Sequence, residues 1–183
     1  MIIVGLSGSL RKQSYNSALL RAAAEAAPAE TTVEIASIRG IPLYDGDVEA
    51  ESGVPGPVQQ LKDRVAAADG LLLVSPEYNN SIPGVFKNAI DWMTRPAADI
   101  KRVFGNKPVA LMGATPGKGA TALAQQAWLP IFRTLGTRAW FGPRITVGSA
   151  AGVFDSGGAL TDDQLRQQLQ KFMAGFAEFI AAK

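Results

Sequence analysis

The spacing of apolar positions along this chain changes repeatedly, and each spacing predicts a type of element. Residues Ile2 to Leu6 form a short apolar run, as in a buried strand. "NSALLRAAAEAA", from Asn16, places alanine, leucine and arginine at helical spacing until Pro28 ends it. From Thr32 the chain alternates apolar and polar side chains, the pattern of a strand near a sheet edge. Residues 39–57 are rich in Gly, Pro and acidic side chains and read as a long surface loop. "VQQLKDRVAAAD" then predicts an amphipathic helix with Val58, Leu61, Val65 and Ala68 on one face. "GLLLVS", from Gly70, is continuously apolar, as a central parallel strand covered on both sides must be.

The second half repeats the alternation. "GVFKNAIDWMTR" from Gly84 predicts a helix, "KPVALMGA" from Lys107 a strand, and "GATALAQQAWLPIFRTLG" from Gly119 a helix with Pro130 as a kink point. "TRAWFG" is a last strand, and the segment from Thr161 is a C-terminal helix with Thr161 as its N-cap and acidic residues in its first turn. Five strands alternating with five helices predict one parallel sheet with helices on both faces, because right-handed crossovers permit little else. A length of 183 residues fits a single domain, 1–183. Ligands of such sheets sit at the carboxyl ends of the strands, so the loops after strands one, three and four carry the interest.

Composition narrows the chemistry. With no cysteine and no histidine, thiolate nucleophiles, Ser-His-Asp triads, histidine bases and His/Cys zinc sites are excluded. Chemistry must come from carboxylates, Lys, Tyr, backbone amides or a cofactor. A net charge of +2, from 18 basic against 16 acidic residues, contains no basic run dense enough for nucleic acid. No run reaches the ~20 apolar residues of a membrane span, and the start "MIIVGLSGS" lacks a signal-peptide pattern, so a cytoplasmic protein is expected.

The first loop, "SGSLRKQSYNS", combines Ser7, Ser9, Ser14, Asn16 and Ser17 as hydroxyl or amide donors with the charge of Arg11, at the start of a helix. That set suits a terminal phosphate; it also suits plain capping by Ser14 or Asn16, and the two are compatible. The spacing fails a Rossmann fingerprint after Gly5 and Gly8, and "MGATPGKGAT" fails a P-loop at Met112 and Gly119. In the second loop, Pro76 and Pro83 bracket Glu77, Tyr78, Asn79 and Ser81. The stiffened backbone is a ridge on which a flat heterocycle can rest, or a turn with Tyr78 packed on the core. Asn88 and Asp91 beyond it read as loop or helix anchors, or equally as solvated side chains. The third loop, with Thr115, Pro116 and Gly117, permits close backbone approach to a ligand, and Lys118 is a solvated lysine or a second phosphate contact.

"GSLRKQSYNSALL", "PLYD", "VSPEYNNSIPGVFKNAIDW" and "KPVALMGATPG" together resemble the flavodoxin-like NADPH-dependent FMN reductases, a family that includes bacterial quinone, chromate and azo-dye reductases. The resemblance implies a flavodoxin-like three-layer sandwich with a five-stranded parallel sheet in order 2-1-3-4-5. It implies that Ser9, Arg11, Ser14, Asn16 and Ser17 hold the FMN phosphate. Pro76, Glu77, Tyr78, Asn79 and Ser81 would lie along the isoalloxazine ring, with Thr115, Pro116 and Gly117 at its other edge. It further implies NADPH or NADH as co-substrate, a small-molecule electron acceptor, ping-pong turnover and a homodimer or homotetramer. No catalytic side chain and no metal ligand is expected; amides of the second and third loops would stabilise negative charge on the reduced ring. An electron carrier of the flavodoxin type is the alternative, disfavoured by the positive net charge because such carriers dock through acidic surfaces.

Overall fold

A computed structural model describes residues 1–182. Six strands, β1 (Ile2–Ser7), β2 (Thr32–Ala36), β3 (Gly70–Val74), β4 (Pro108–Ala114), β5 (Arg138–Ala139) and β6 (Ile145–Val147), form one sheet. Every pairing is parallel, the order is β2-β1-β3-β4-β5, and β6 pairs with β4 beyond β5. The fold class and strand order expected from the resemblance hold.

The continuous apolar runs have a simple cause. Alternate residues of each central strand enter opposite cores: Ile3, Leu72, Val74 and Met112 pack on one side, and Val4, Leu6, Leu71, Leu73 and Val109 on the other. Helices α1 (Tyr15–Glu25) and α7 (Asp163–Ala181) cover the first face. Helices α3 (Gly56–Ala67), α4 (Gly84–Met93), α5 (Ile100–Phe104) and α6 (Ala122–Leu135) cover the second.

Four expectations change. The 39–57 segment contains a helix, α2 (Gly46–Ser52), capped by Asp45, whose side chain accepts from the Asp47 N–H. It buries no residue, so no hydrophobic period marks it. The last strand is split: β5 ends after two residues because Trp140 turns into the core against Phe172 and Phe176, and pairing resumes at β6. The N-cap of α7 is Asp162, which accepts from the Leu165 N–H at 2.6 Å, and not Thr161, whose hydroxyl bonds the Val153 carbonyl. Short α5 adds to the predicted helices, and α6 runs on through Pro130.

One polar contact lies deep in the second core. Lys62, which helical spacing puts on the same face as Val58 and Val65, is fully buried and meets Asp99 at 2.6 Å and the Arg95 carbonyl. The Lys62 ammonium holds the Asp99 carboxyl below the usual carboxylate range.

Candidate functional site

The strand ends bring the three loops side by side. Ser7 is in register with Val74, and Val74 with Met112. The Gly8 N–H donates to the Val74 carbonyl and the Ser75 N–H to the Met112 carbonyl, each at 2.9 Å, so the loops leave the sheet as one layer. Between β1 and β3 the chain order reverses direction across the sheet, the switch point where α/β folds hold ligands. Two glycines set the spacing. A Cβ on Gly8 would lie 2.3 Å from Phe86 Cδ1, and one on Gly113 2.2 Å from the Ser75 carbonyl oxygen.

The first loop is organised by hydroxyls. Ser14 Oγ accepts from the N–H groups of Asn16 (3.2 Å) and Ser17 (3.3 Å), making Ser14 the N-cap of α1. Ser17 Oγ bonds Ser7 Oγ at 3.1 Å, and Arg11 Nη2 donates to the Gln13 carbonyl at 3.0 Å. Among the described residues, the backbone N–H groups of Lys12, Gln13, Ser14 and Tyr15 have no protein acceptor. Four successive free donors, a helix N-terminus and Arg11 make this loop a seat for an anion with several oxygens.

Asn16 does something sequence reading did not find. Its buried amide donates from Nδ2 to the Ala114 carbonyl (2.8 Å) and accepts at Oδ1 from the Ala114 N–H (2.9 Å). Both polar ends of the side chain are occupied, so it clamps the first loop to the third.

The second loop is a hairpin. Tyr78 and Ser81 exchange two backbone hydrogen bonds of 3.0 and 3.1 Å, and Asn79 and Asn80 between them have φ of 51° and 62°. Left-handed φ at both central residues is the tight turn that asparagine tolerates best after glycine. The "NN" pair was the available signal. Glu77, just before the hairpin, reaches across to α6, where its Oε2 accepts from the N–H groups of Leu123 (2.9 Å) and Ala124 (3.0 Å). The residue in the N-cap position of α6, Thr121, makes no side-chain cap, so Glu77 supplies it from another loop.

The third loop offers few amides. The Thr115 N–H donates to the Val147 carbonyl, Pro116 has none, and Gly117 donates to Thr115 Oγ1 at 3.4 Å. In the second loop Glu77, Asn79 and Asn80 keep N–H groups without a protein acceptor among the described residues.

A cavity of about 210 Å³ lies between the loops. The structure brings Ser9, Arg11, Ser14, Asn16, Pro76, Glu77, Tyr78, Thr115 and Pro116 to its wall and leaves Ser17, Asn79, Ser81 and Gly117 outside it. Tyr15 and Ala114 line it too, and the sequence reading had passed over both. "PLYD" lies behind, as an anchor. The Pro42 carbonyl accepts from Asn88 Nδ2 (2.8 Å) and Trp92 Nε1 (2.9 Å), and Asn88 Oδ1 accepts from the Tyr44 N–H (2.9 Å). Asn88 thus anchors the loop, and Asp91 pairs with Lys87 at 2.7 Å. The Tyr44 hydroxyl donates to Glu49 (2.9 Å), which Arg95 also binds (2.7 Å). Arg95 holds the Glu49 carboxyl below its usual range, and Glu49 raises the Tyr44 phenol.

Comparison with known proteins bears on the same region. The profile of the NADPH-dependent FMN reductases matches residues 1–152. An NAD(P)H-dependent FMN reductase of Pseudomonas aeruginosa is 42% identical over 92% of this chain and 89% of its own. A 2-hydroxy-1,4-benzoquinone reductase of a Burkholderia species is 36% identical over 94% of this chain and 92% of its own. Among solved structures, the flavoenzyme NAD(P)H:(acceptor) oxidoreductase FerB of Paracoccus denitrificans superposes with a TM-score of 0.87 at 33% identity, covering 98% of this chain and 97% of that one.

Proposed function

This chain belongs to the NADPH-dependent FMN reductases, and we propose on that premise that it carries electrons from NADPH or NADH through FMN to quinones and similar small acceptors by a ping-pong cycle. The observation that carries the proposal is a cavity lined by Pro76, Glu77 and Tyr78 and by Arg11, Ser14 and Tyr15, the last two with free N–H groups that continue the run from Lys12. A phosphate monoester offers the oxygens that those donors lack, and the ridge offers a flat support at the other end.

Ser9, Arg11 and Ser14 hold the phosphate, with Ser14 keeping its hydroxyl proton to donate while its oxygen caps the helix. Ser17 supports through Ser7, and Asn16 positions the loop through Ala114. Pro76, Glu77 and Tyr78 lie along the ring, with Asn79 and Ser81 shaping the hairpin behind, and Thr115, Pro116 and Gly117 close the other edge. FMN, when bound, supplies hydride acceptance and two-electron transfer. The chain's part is electrostatic: the free amide of Glu77, on the cavity wall, would donate to negative charge on a reduced ring. No protein acid or base is required, in keeping with a chain without histidine.

Half-exposed Tyr78 leaves apolar surface at the site, and Leu43 (83% exposed), Tyr44 and Val85 add further exposed apolar side chains. We assign that surface to a second copy of the chain, in a homodimer or homotetramer, and place the enzyme in the cytoplasm with its nicotinamide supply. Among the described residues no helix is long and apolar enough to cross a membrane.

The test is spectroscopic and kinetic. Purified protein should show flavin absorbance that NADPH or NADH bleaches without any partner, and that a quinone, chromate or an azo dye restores. Double-reciprocal plots at varied nicotinamide and quinone should be parallel. Intersecting lines sink the ping-pong cycle, and colour that reduced nicotinamide does not bleach sinks the reductase in favour of an electron carrier.

A further inference from the structure

A second cavity, of about 230 Å³, adjoins the first and shares Arg11, Ser14 and Tyr15 with it. It continues past the phosphate end of the site along one face of α1, where Tyr15, Ala18 and Arg21 follow at intervals of three residues. Its opposite wall is the turn Asp155–Gly158. Arg11, Lys12 and Arg21 give it three positive charges against the single carboxylate of Asp155, which is already engaged by the Ala159 N–H at 2.8 Å. Among the described residues neither Lys12 nor Arg21 has an ion-pair or hydrogen-bonding partner. Gly158 faces the Arg21 guanidinium with no side chain between them. A Cβ there would lie 2.7 Å from Arg21 Nη2, and the residue has φ +80°.

We propose that this cavity takes the second phosphate and adenosine of a flavin dinucleotide, so that the chain binds FAD as well as FMN. The inference rests on the FMN reading of the first cavity. A mononucleotide phosphate on the Ser14 and Tyr15 amides lies at residues the two cavities share, and a pyrophosphate continuing from it enters the cationic cavity that Lys12 and Gln13 line. Arg21 and Lys12 then meet the distal phosphate, while Ala18 leaves the helix face flat for the sugar.

The full-length protein, stripped of flavin, is titrated with FMN, FAD and riboflavin, following flavin fluorescence. FMN and FAD should both bind more tightly than riboflavin. Arg21→Ala should weaken FAD by about fivefold, the upper range of an exposed charge contact, leave FMN within experimental error, and be largely restored by Arg21→Lys. Tight FMN with FAD no tighter than riboflavin overturns this inference alone, as does an FAD/FMN ratio that Arg21→Ala leaves unchanged. Failure to bind any flavin overturns the functional reading and this one with it. If FAD does not bind but FMN-loaded protein binds 2′,5′-ADP with the same dependence on Arg21, the cavity serves the nicotinamide nucleotide and the proposal is wrong.

Discussion

Replacing Asn16 by alanine tests the clamp between the first and third loops. In the wild type, the buried amide satisfies both backbone groups of Ala114, at 2.8 and 2.9 Å, and Ala114 is itself 1% exposed. Truncation leaves an N–H and a C=O buried without partners, at roughly 1–3 kcal/mol each, for a total of about 2–6 kcal/mol. Against a typical stability of about 5–15 kcal/mol this is a large fraction. Urea unfolding, with an m-value of about 2 kcal/mol/M, should show the midpoint falling by about 1–3 M. Asn16→Asp separates geometry from size: one oxygen still accepts from the Ala114 N–H, while the other faces the Ala114 carbonyl, so it should not rescue. Flavin titration of the same variants should show weaker FMN and riboflavin alike, because the whole wall shifts and not the phosphate contact. A midpoint within about 0.2 M of wild type for Asn16→Ala would refute the clamp.

Arg11→Ala should behave differently, weakening FMN by about 1.5–3 kcal/mol, the worth of a charge-assisted hydrogen bond, while riboflavin binding is unchanged; equal losses for both ligands would remove Arg11 from the phosphate. Glu77→Ala should cost about 0.5–2 kcal/mol in thermal unfolding as α6 loses its cap, with Glu77→Gln retaining most of it because an acceptor oxygen remains. Gly113→Ala should destabilise by about 3 kcal/mol or more, since the added methyl meets a backbone oxygen that cannot move aside; Gly8→Ala meets only the Phe86 ring and should be partly rescued by Phe86→Leu. The pH dependence of Asp99→Asn follows from sign. The carboxyl is depressed in the folded state, so its contribution is present above the ordinary carboxylate pKa and disappears as pH falls through the folded value. The variant should be less stable than wild type at neutral pH, and the gap should close below about pH 4.

What could be read from residues alone was whatever rests on local patterning. The continuous apolar runs placed β1, β3 and β4, and Ser14 ahead of a helical pattern marked both a cap and the anion loop. Contacts between distant parts of the chain left no such trace. Asn16 and Ala114 are 98 residues apart, and Glu77 and Leu123 are 46 apart, so neither clamp nor trans cap can be inferred from spacing. Helix α2 escaped because it turns no apolar side onto a core; Glu49 within it is tied to Arg95, again at long range. β6 escaped because three residues are too few to establish a period.

The interruption of the final strand has a consequence for how this protein behaves among its neighbours at high concentration. An unbroken outer strand would offer other chains a straight row of unpaired peptide groups, the template on which aggregation and fibril growth start. Here that margin consists of a two-residue piece and a three-residue piece separated by the excursion through Phe141 and Pro143, so no incoming strand can add to it in continuous register.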